Sequence, residues 1–385
     1  MTMKVLSVTD YFLPGFLGGG PITTLVNMRK QLNGQVTLSI YTRDRDLGTD
    51  TQYPGIEPDQ WLETPDGPIY YASPTVFGMR GLRHALASRH FDIVYLNSYF
   101  SVHASILLYL NLRRQAPDRP ILIAPRGEFS PGALAIKRYK KLAFLSLVRR
   151  LGLYRDVFWH ASTPMEAQDI LRQFPNVADR IHIAADPVHA TLPDEAPIAR
   201  TKETGHLRIA FISRISPMKN LDGLIRMLET VRVPVGLDIF GPIEDEAYWR
   251  QCELAIANLP DNIQVRSHGP IAPEAVSGIF ARYDLFAFPT HGENFGHVIF
   301  EALRAGTPVL VSDKTPWQPD KRGAVTVIPL QDLTGWRSAI EMAANRTSAE
   351  QADVCSATFE YANRYVAEDG ARQANLEMFR KISPT

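Results

Sequence analysis

Short apolar runs alternate with longer helical patterns along almost the whole chain, and this alternation constrains the fold more than any other feature. In the first half the runs are Val5–Val8, Val36–Tyr41, Ile93–Leu96, Ile121–Ala124 and Val157–His160. Helical periodicity separates them near Ile22–Gln31, Gly81–Ser88, Val102–Arg114, Ala133–Arg149 and Met165–Phe174. Apolar runs of this length, bounded by turns and spaced by helices, read as strands buried on both faces of a parallel sheet. Right-handed crossovers wind such a sheet into a doubly wound α/β domain.

The alternation stops between Ala185 and Gly205, where Pro187, Pro193, Pro197 and scattered charges leave little periodicity. That is linker chemistry. It resumes with strands at Leu207–Ile212, Val235–Phe240, Ile263–Val265, Leu285–Phe288 and Val309–Val311. Helices fit Leu221–Leu228, Glu246–Ala257, Ala275–Ala281, Val298–Ala305 and Trp336–Ala344, and everything from Ser348 onward reads as helical. The expected organisation is a Rossmann-like domain over 1–190, a linker over 191–206, a second Rossmann-like domain over 207–365, and a helix over 366–385 that could cross back to the first domain. Ligands of such sheets sit outside the carboxyl ends of the strands, which points to a central cleft.

Composition narrows the functional classes. Forty-one Lys and Arg against 41 Asp and Glu leave no net charge, which argues against a dedicated nucleic-acid binder. Cys252 and Cys355 offer neither a disulfide framework nor zinc spacing. No apolar run approaches the ~20 residues of a membrane span, and the start runs directly into a strand pattern, so no signal peptide is expected. A cytoplasmic protein is the expectation. Asp44-Arg45-Asp46 has the D-x-D form of metal-dependent transferases but stands in a polar loop, and reads as surface.

The segment Pro289–Trp317, PTHGENFGHVIFEALRAGTPVLVSDKTPW, carries the strongest chemical signal. A strand ends near Pro289, and a helix begins near His297. Glu293 precedes that helix, and Glu301 lies two turns later. Unpaired backbone N–H groups and the helix dipole favour an anion at Phe295-Gly296-His297-Val298, and Gly296 allows close backbone approach. The geometry suits a diphosphate flanked by carboxylates, although an acidic helix start with an ordinary helix-face glutamate has the same spacing. Phe211–Asn220 places Arg214 and Lys219 on a turn at a strand's carboxyl end, where two cations could neutralise a departing diphosphate. Two solvated surface cations would read alike. Gly18-Gly19-Gly20-Pro21 forms a glycine loop at a helix start, able to cradle phosphate or simply to be a loop.

Taken together, these elements resemble the retaining glycosyltransferases of glycosyltransferase family 4, which have the two-domain GT-B fold. The family's E-x7-E region corresponds to Glu293, Phe295-Gly296, Glu301-Ala302 and Gly306-Thr307-Pro308-Val309. Its G-R-x-x-x-x-K-G element corresponds to Ser213–Asn220, with Ser213 and Asn220 in place of the glycines. The resemblance is clear over about residues 205–320 and weaker before them. It implies that Glu293 lies beside the donor sugar and Glu301 holds the nucleotide ribose. Asn294, Phe295, Gly296, His297 and Val298 would meet the diphosphate, Arg214 and Lys219 would stabilise it as it leaves, and Gly18, Gly19 and Gly20 would face it across the cleft. The implied reaction moves a sugar from a UDP- or GDP-sugar to a hydroxyl of a glycan or lipid-linked acceptor in surface polysaccharide or glycoconjugate synthesis. It needs no metal, and no cofactor besides the nucleotide-sugar co-substrate. A nucleotide-sugar epimerase or a non-catalytic partner subunit on the same fold are the alternatives.

Two features depart from the family or go unexplained by it. Where many members carry a histidine, this chain has Pro125–Pro131, and Arg126 and Glu128 could bind the acceptor or pair with each other as a clip. His103, alone at a helix start, reads as structural. Lys137, Arg138, Lys140, Lys141, Arg149 and Arg150 bracket the apolar run Leu142–Val148. A basic helix of this kind suits an inner-membrane surface or an anionic acceptor, or else a core-facing helix with solvated lysines.

Overall fold

The computed structural model describes residues 2–189, 201–368 and 370–383. The chain divides into two compact units, one comprising 1–188 with 370–385 and the other 189–369.

The first unit is built on an eight-stranded sheet. In chain order its elements are β1 (Met3–Val8), α1 (Gly20–Leu32), β2 (Val36–Arg43), β3 (Trp61–Leu62), β4 (Ile69–Ala72), α2 (Met79–Ser88), β5 (Ile93–Asn97), α3 (Leu107–Gln115), β6 (Ile121–Ala124), α4 (Pro131–Ala135), α5 (Arg138–Arg150), β7 (Phe158–Ala161), α6 (Pro164–Gln173) and β8 (Ile181–Ile183). The strand order is β3-β4-β2-β1-β5-β6-β7-β8. All pairs are parallel except β3 with β4. The central strands are buried along their length because helices cover both faces, which is why they read as continuous apolar runs.

The second unit carries β9 (Leu207–Ile212), α7 (Leu221–Leu228), β10 (Val235–Phe240), α8 (Glu246–Ile256), β11 (Ile263–Ser267), α9 (Pro273–Phe280), β12 (Leu285–Phe288), α10 (His297–Arg304), β13 (Val309–Ser312), β14 (Val325–Ile328), α11 (Leu333–Asn345) and α12 (Ser348–Glu368). Its six parallel strands follow the order β11-β10-β9-β12-β13-β14. The final helix, α13 (Ala371–Ile382), belongs to the first unit. It buries Leu376, Met378, Phe379 and Ile382 against the core that holds Val5, Leu25 and Tyr95. Asn375 Nδ2 also donates to Ala185 O at 2.8 Å.

Several elements differ from the sequence expectation. Strands β3, β4, β8 and β14 have two to four residues each, and short strands towards sheet edges leave little apolar run to read. The helix expected over Ala133–Arg149 is broken at Lys137, which adopts φ 54° and separates α4 from α5. The helix expected from Val102 starts as a π-turn over Val102–Ile106, capped by Ser101 Oγ accepting from Ala104 N at 3.1 Å. The C-terminal segment is two helices with Gly370 between them. Residues 190–200, most of the expected linker, lie outside the described residues. Thr201–His206 is tied to the second unit: buried Lys202 donates through Nζ to His206 O and Ala344 O, both at 2.7 Å. Asp44 and Asp46 are buried, not on the surface. Asp44 pairs with Arg45, and Asp46 Oδ2 accepts from Phe16 N at 2.8 Å and Leu17 N at 3.1 Å, holding the loop after β1. Among the described residues no helix is long and apolar enough to cross a membrane.

Candidate active site

In the second unit the strand order reverses between β9 and β12. The chain winds outward from β9 through β10 to β11, then returns to place β12 on the other side of β9. At such a reversal the loops leaving two adjacent strand ends diverge and open a crevice. The loop after β9 carries Arg214 and Lys219. The loop after β12 carries Glu293 and leads into α10.

Backbone contacts lock these loops together. Asn220 holds the left-handed conformation (φ 58°, ψ 41°), which Asn tolerates better than most residues and which accounts for glycine in the related element. Its Nδ2 donates to Pro289 O at 2.7 Å. Met218 O accepts from His291 N at 2.9 Å and from Thr290 Oγ1 at 3.1 Å. Ser312 Oγ donates to Thr290 O at 2.6 Å, and Glu293 N donates to Lys314 O at 3.0 Å, bringing in the loop after β13. The result is an ion pair between Lys219 Nζ and Glu293 Oε1, with the two side chains 14% and 13% exposed. Lys219 Nζ also stands 5.6 Å from the Phe288 ring centre. Arg214 is more open and pairs with Glu244 at 3.0 Å.

Helix α10 begins at His297, shortly after Glu293 in the chain. Gly296 precedes it at φ 80°, a backbone conformation that strains any residue with a side chain, and a Cβ there would lie 2.9 Å from Ile299 Cδ1, which would have to shift. Ile299 N and Phe300 N bond Gly296 O, whereas Val298 N meets no acceptor among the described residues. Asn294 Nδ2 is likewise buried without a partner. Phe295 is anchored by its carbonyl, which accepts from Trp317 Nε1 at 2.7 Å, and by ring contacts with His297, Trp317 and Tyr365 of α12. Burial pushes the Glu301 carboxyl up to about 7, with Arg304 acting in the opposite direction. That carboxylate has no hydrogen bond or ion pair among the described residues, so it retains full capacity for hydroxyl donors. A partly buried carboxylate with a raised pKa and no protein partner, on the helix that follows a strand-end loop, is a candidate for binding ligand hydroxyls.

The other sequence-derived candidates fall elsewhere. Gly18, Gly19 and Gly20 belong to the first unit, on the loop after β1 and at the start of α1. Arg126 and Glu128 do not pair with each other, and both are committed to protein partners. Arg126 forms a buried ion pair with Asp186, with side chains 7% and 5% exposed, and donates to Tyr95 Oη at 2.7 Å and Asn97 Oδ1 at 2.9 Å. Beside it, burial lowers His160 to about 4, and its Nδ1 contacts Tyr95 Oη at 2.5 Å. Glu128 accepts from the backbone N–H groups of Tyr99 and Phe100 and from Ser98 Oγ. Arg126→Ala is therefore expected to destabilise the chain by about 3 kcal/mol, because it strands Asp186 as an unpaired buried charge. Thermal melting checks this, and an unchanged midpoint would remove the structural role. Sequence reasoning missed Glu244, whose signal was slight, and the anchoring part played by Asn220, which its place directly after Lys219 could have suggested. Among the described residues no three His, Cys, Asp or Glu side chains are grouped to hold a metal ion.

Two doubly wound parallel-sheet domains give this chain the GT-B fold. Residues 194–320, the part that holds this crevice, match the family described as Glycosyl transferases group 1. Curated relatives include D-inositol 3-phosphate glycosyltransferase of Xylanimonas cellulosilytica, 29% identical over 195 residues, which are 46% of this chain and 43% of that protein. The enzyme of the same name from Rhodococcus erythropolis is 30% identical over 166 residues, 40% of this chain and 37% of that protein. The chain thus spans about two fifths of the length of these relatives. Among solved structures, HepE of Anabaena in complex with UDP and glucose superposes with a TM-score of 0.69 at 17% identity, over 98% of this chain and 100% of that one. Sucrose-phosphate synthase from Thermosynechococcus elongatus superposes with a TM-score of 0.71 at 16% identity, over 98% of each.

Proposed function

We propose that this chain is a retaining glycosyltransferase that moves a sugar from a nucleoside diphosphate donor to a hydroxyl acceptor. The observation that carries the reading is the meeting of Lys219 with Glu293 just before α10, with Glu301, whose carboxylate takes no protein partner among the described residues, on that same helix. Solved relatives of the same fold contain UDP, which makes a uridine donor the first to test and a guanosine donor the second.

In this reading the diphosphate lies over Asn294–Val298. Val298 N–H and Asn294 Nδ2 donate to it, and the helix dipole adds to their effect. Glu301 accepts from the ribose hydroxyls. Lys219 turns from Glu293 to the phosphate nearest the sugar, and Arg214 leaves Glu244 for the same charge. Glu293, released, accepts from hydroxyls of the donor sugar. Negative charge grows on the diphosphate as the glycosidic bond breaks, and cations already in place stabilise it without reorganisation. The acceptor attacks from the face the diphosphate leaves, and a departing phosphate oxygen takes its proton, so no protein nucleophile is assigned. Arg214, Lys219 and helix N–H groups carry the diphosphate charge in place of a metal. The family resemblance supports, as the acceptor, a hydroxyl of a glycan or lipid-linked acceptor in surface polysaccharide or glycoconjugate synthesis.

Thermal shift with UDP, GDP and ADP tests the donor site. A ligand at 100 times its Kd adds about 2.7 kcal/mol of stability, so one of the three is expected to raise the melting temperature by several degrees. No shift with any of them would refute the site. Release of the same nucleoside diphosphate from its sugar then separates a transferase from a non-catalytic subunit.

A further inference from the structure

The helix α5 stands apart from the rest of the surface. Across residues 129–155 the sequence has seven Lys or Arg and no Asp or Glu, in a chain with no net charge. Of the thirteen residues of α5, only Leu145 and Val148 are buried. Lys141 joins that inner side, with Nζ donating to Ala133 O at 2.7 Å and lying 5.0 Å from the Phe100 ring centre. The opposite side presents apolar groups to solvent: Tyr139 is 88% exposed, Leu147 54% and Leu151 61%, with Ile136 and Leu142 beside them. Tyr139, Ala143, Leu147 and Leu151 follow one another at four-residue spacing and so share one face. Lys137, Arg138, Lys140, Arg149 and Arg150 flank it, all exposed and none in an ion pair among the described residues.

We propose that this face of α5 docks on an anionic lipid bilayer, with Tyr139, Leu147 and Leu151 at the depth of the headgroups and the flanking cations on lipid phosphates. Long Lys and Arg side chains can lay their stems along apolar groups while their charges reach the phosphate layer. Anionic headgroups supply the counter-charge that the chain itself does not provide here. A second copy of this chain is a poor occupant, since a twofold contact through α5 would set these cations against their own equivalents. The proposal stands independently of the transferase reading.

The test uses the full chain in co-sedimentation with vesicles of phosphatidylcholine alone and with about one third phosphatidylglycerol. The parent is expected to bind the anionic vesicles at least ~10-fold more tightly, with the difference shrinking as salt is added. Replacing Lys137, Arg138, Lys140, Arg149 and Arg150 with Gln should remove most of that preference. Replacing Tyr139, Leu147 and Leu151 with Ser should weaken binding at low and high salt alike, because apolar insertion is not screened. Both variants alter exposed positions, so melting temperature and nucleotide-induced stabilisation should match the parent's. Equal binding to both vesicle types, or Gln-variant binding equal to the parent's, would overturn the proposal. So would a concentration-dependent dimer by light scattering that the Ser variant loses.

Discussion

Glu293→Ala and Lys219→Ala should each lower sugar transfer by about 100-fold or more while leaving the chain folded. Each side chain is asked to supply ~3 kcal/mol of transition-state stabilisation, Glu293 on the reacting sugar and Lys219 on the leaving diphosphate. Both sit at a strand-end crevice rather than in the hydrophobic core, and the loops that hold them are fixed by backbone contacts of Met218, Pro289 and Lys314 that neither substitution removes. Because the two side chains pair with each other, removing either frees its partner, so the double variant should fall short of the product of the single effects. Circular dichroism and melting establish folding, and turnover of the donor identified by thermal shift gives the rate. Near-normal turnover in either folded single variant would refute these roles.

Glu301→Gln should affect the donor's affinity more than the rate. Burial raises the Glu301 pKa from its ordinary range to about 7, so in the free protein the carboxyl is neutral at pH 5 and ionised at pH 8. A raised carboxylate pKa means that the folded state holds a proton that the unfolded chain has already released. Its stabilising effect is complete below about pH 4 and is lost as pH rises through 7. The Gln variant lacks this loss and should melt higher than the parent at pH 8, with little difference at pH 5. Ribose hydroxyls donate best to the ionised form, so parent affinity for a nucleotide sugar should rise about tenfold between pH 6 and pH 8. Nucleotide sugar is the suitable ligand because its diphosphate does not titrate in that interval. The variant should bind weakly and with no such pH profile, raising KM with a smaller change in kcat. A parent-like profile in the variant, or a collapse of kcat at constant KM, would show that Glu301 does not hold the ribose.

The central strands were legible because a parallel strand covered on both faces must be apolar throughout, and Leu207–Ile212 and Leu285–Phe288 appear in the structure with the boundaries read from sequence. Short elements towards the sheet edges were not: β4 is Ile-Tyr-Tyr-Ala and β8 is three residues long, and neither makes a run that stands out from a loop. The glutamates, cations and glycine of the crevice were legible as types and spacings, since the helix start and both strand ends could be placed. The partners those charges take were not.

The alternation of apolar runs by itself settles two doubly wound sheets and puts Arg214, Lys219, Glu293 and Glu301 on elements adjoining strand ends. Contacts between residues far apart in sequence decide the rest. Arg126 and Glu128 read either as acceptor-binding charges or as a clip to each other, yet Asp186 takes the first and the backbone N–H groups of Tyr99 and Phe100 take the second. The last helix reads from sequence as one that could cross back to the first domain, and the contacts of its apolar side within the core of the first unit decide that it does. Local spacing specifies which face of an element is apolar, because helix and strand periods are set by backbone geometry. Whether a charge is buried or a face is covered depends on what distant segments bring to it, and only the packed chain contains that information.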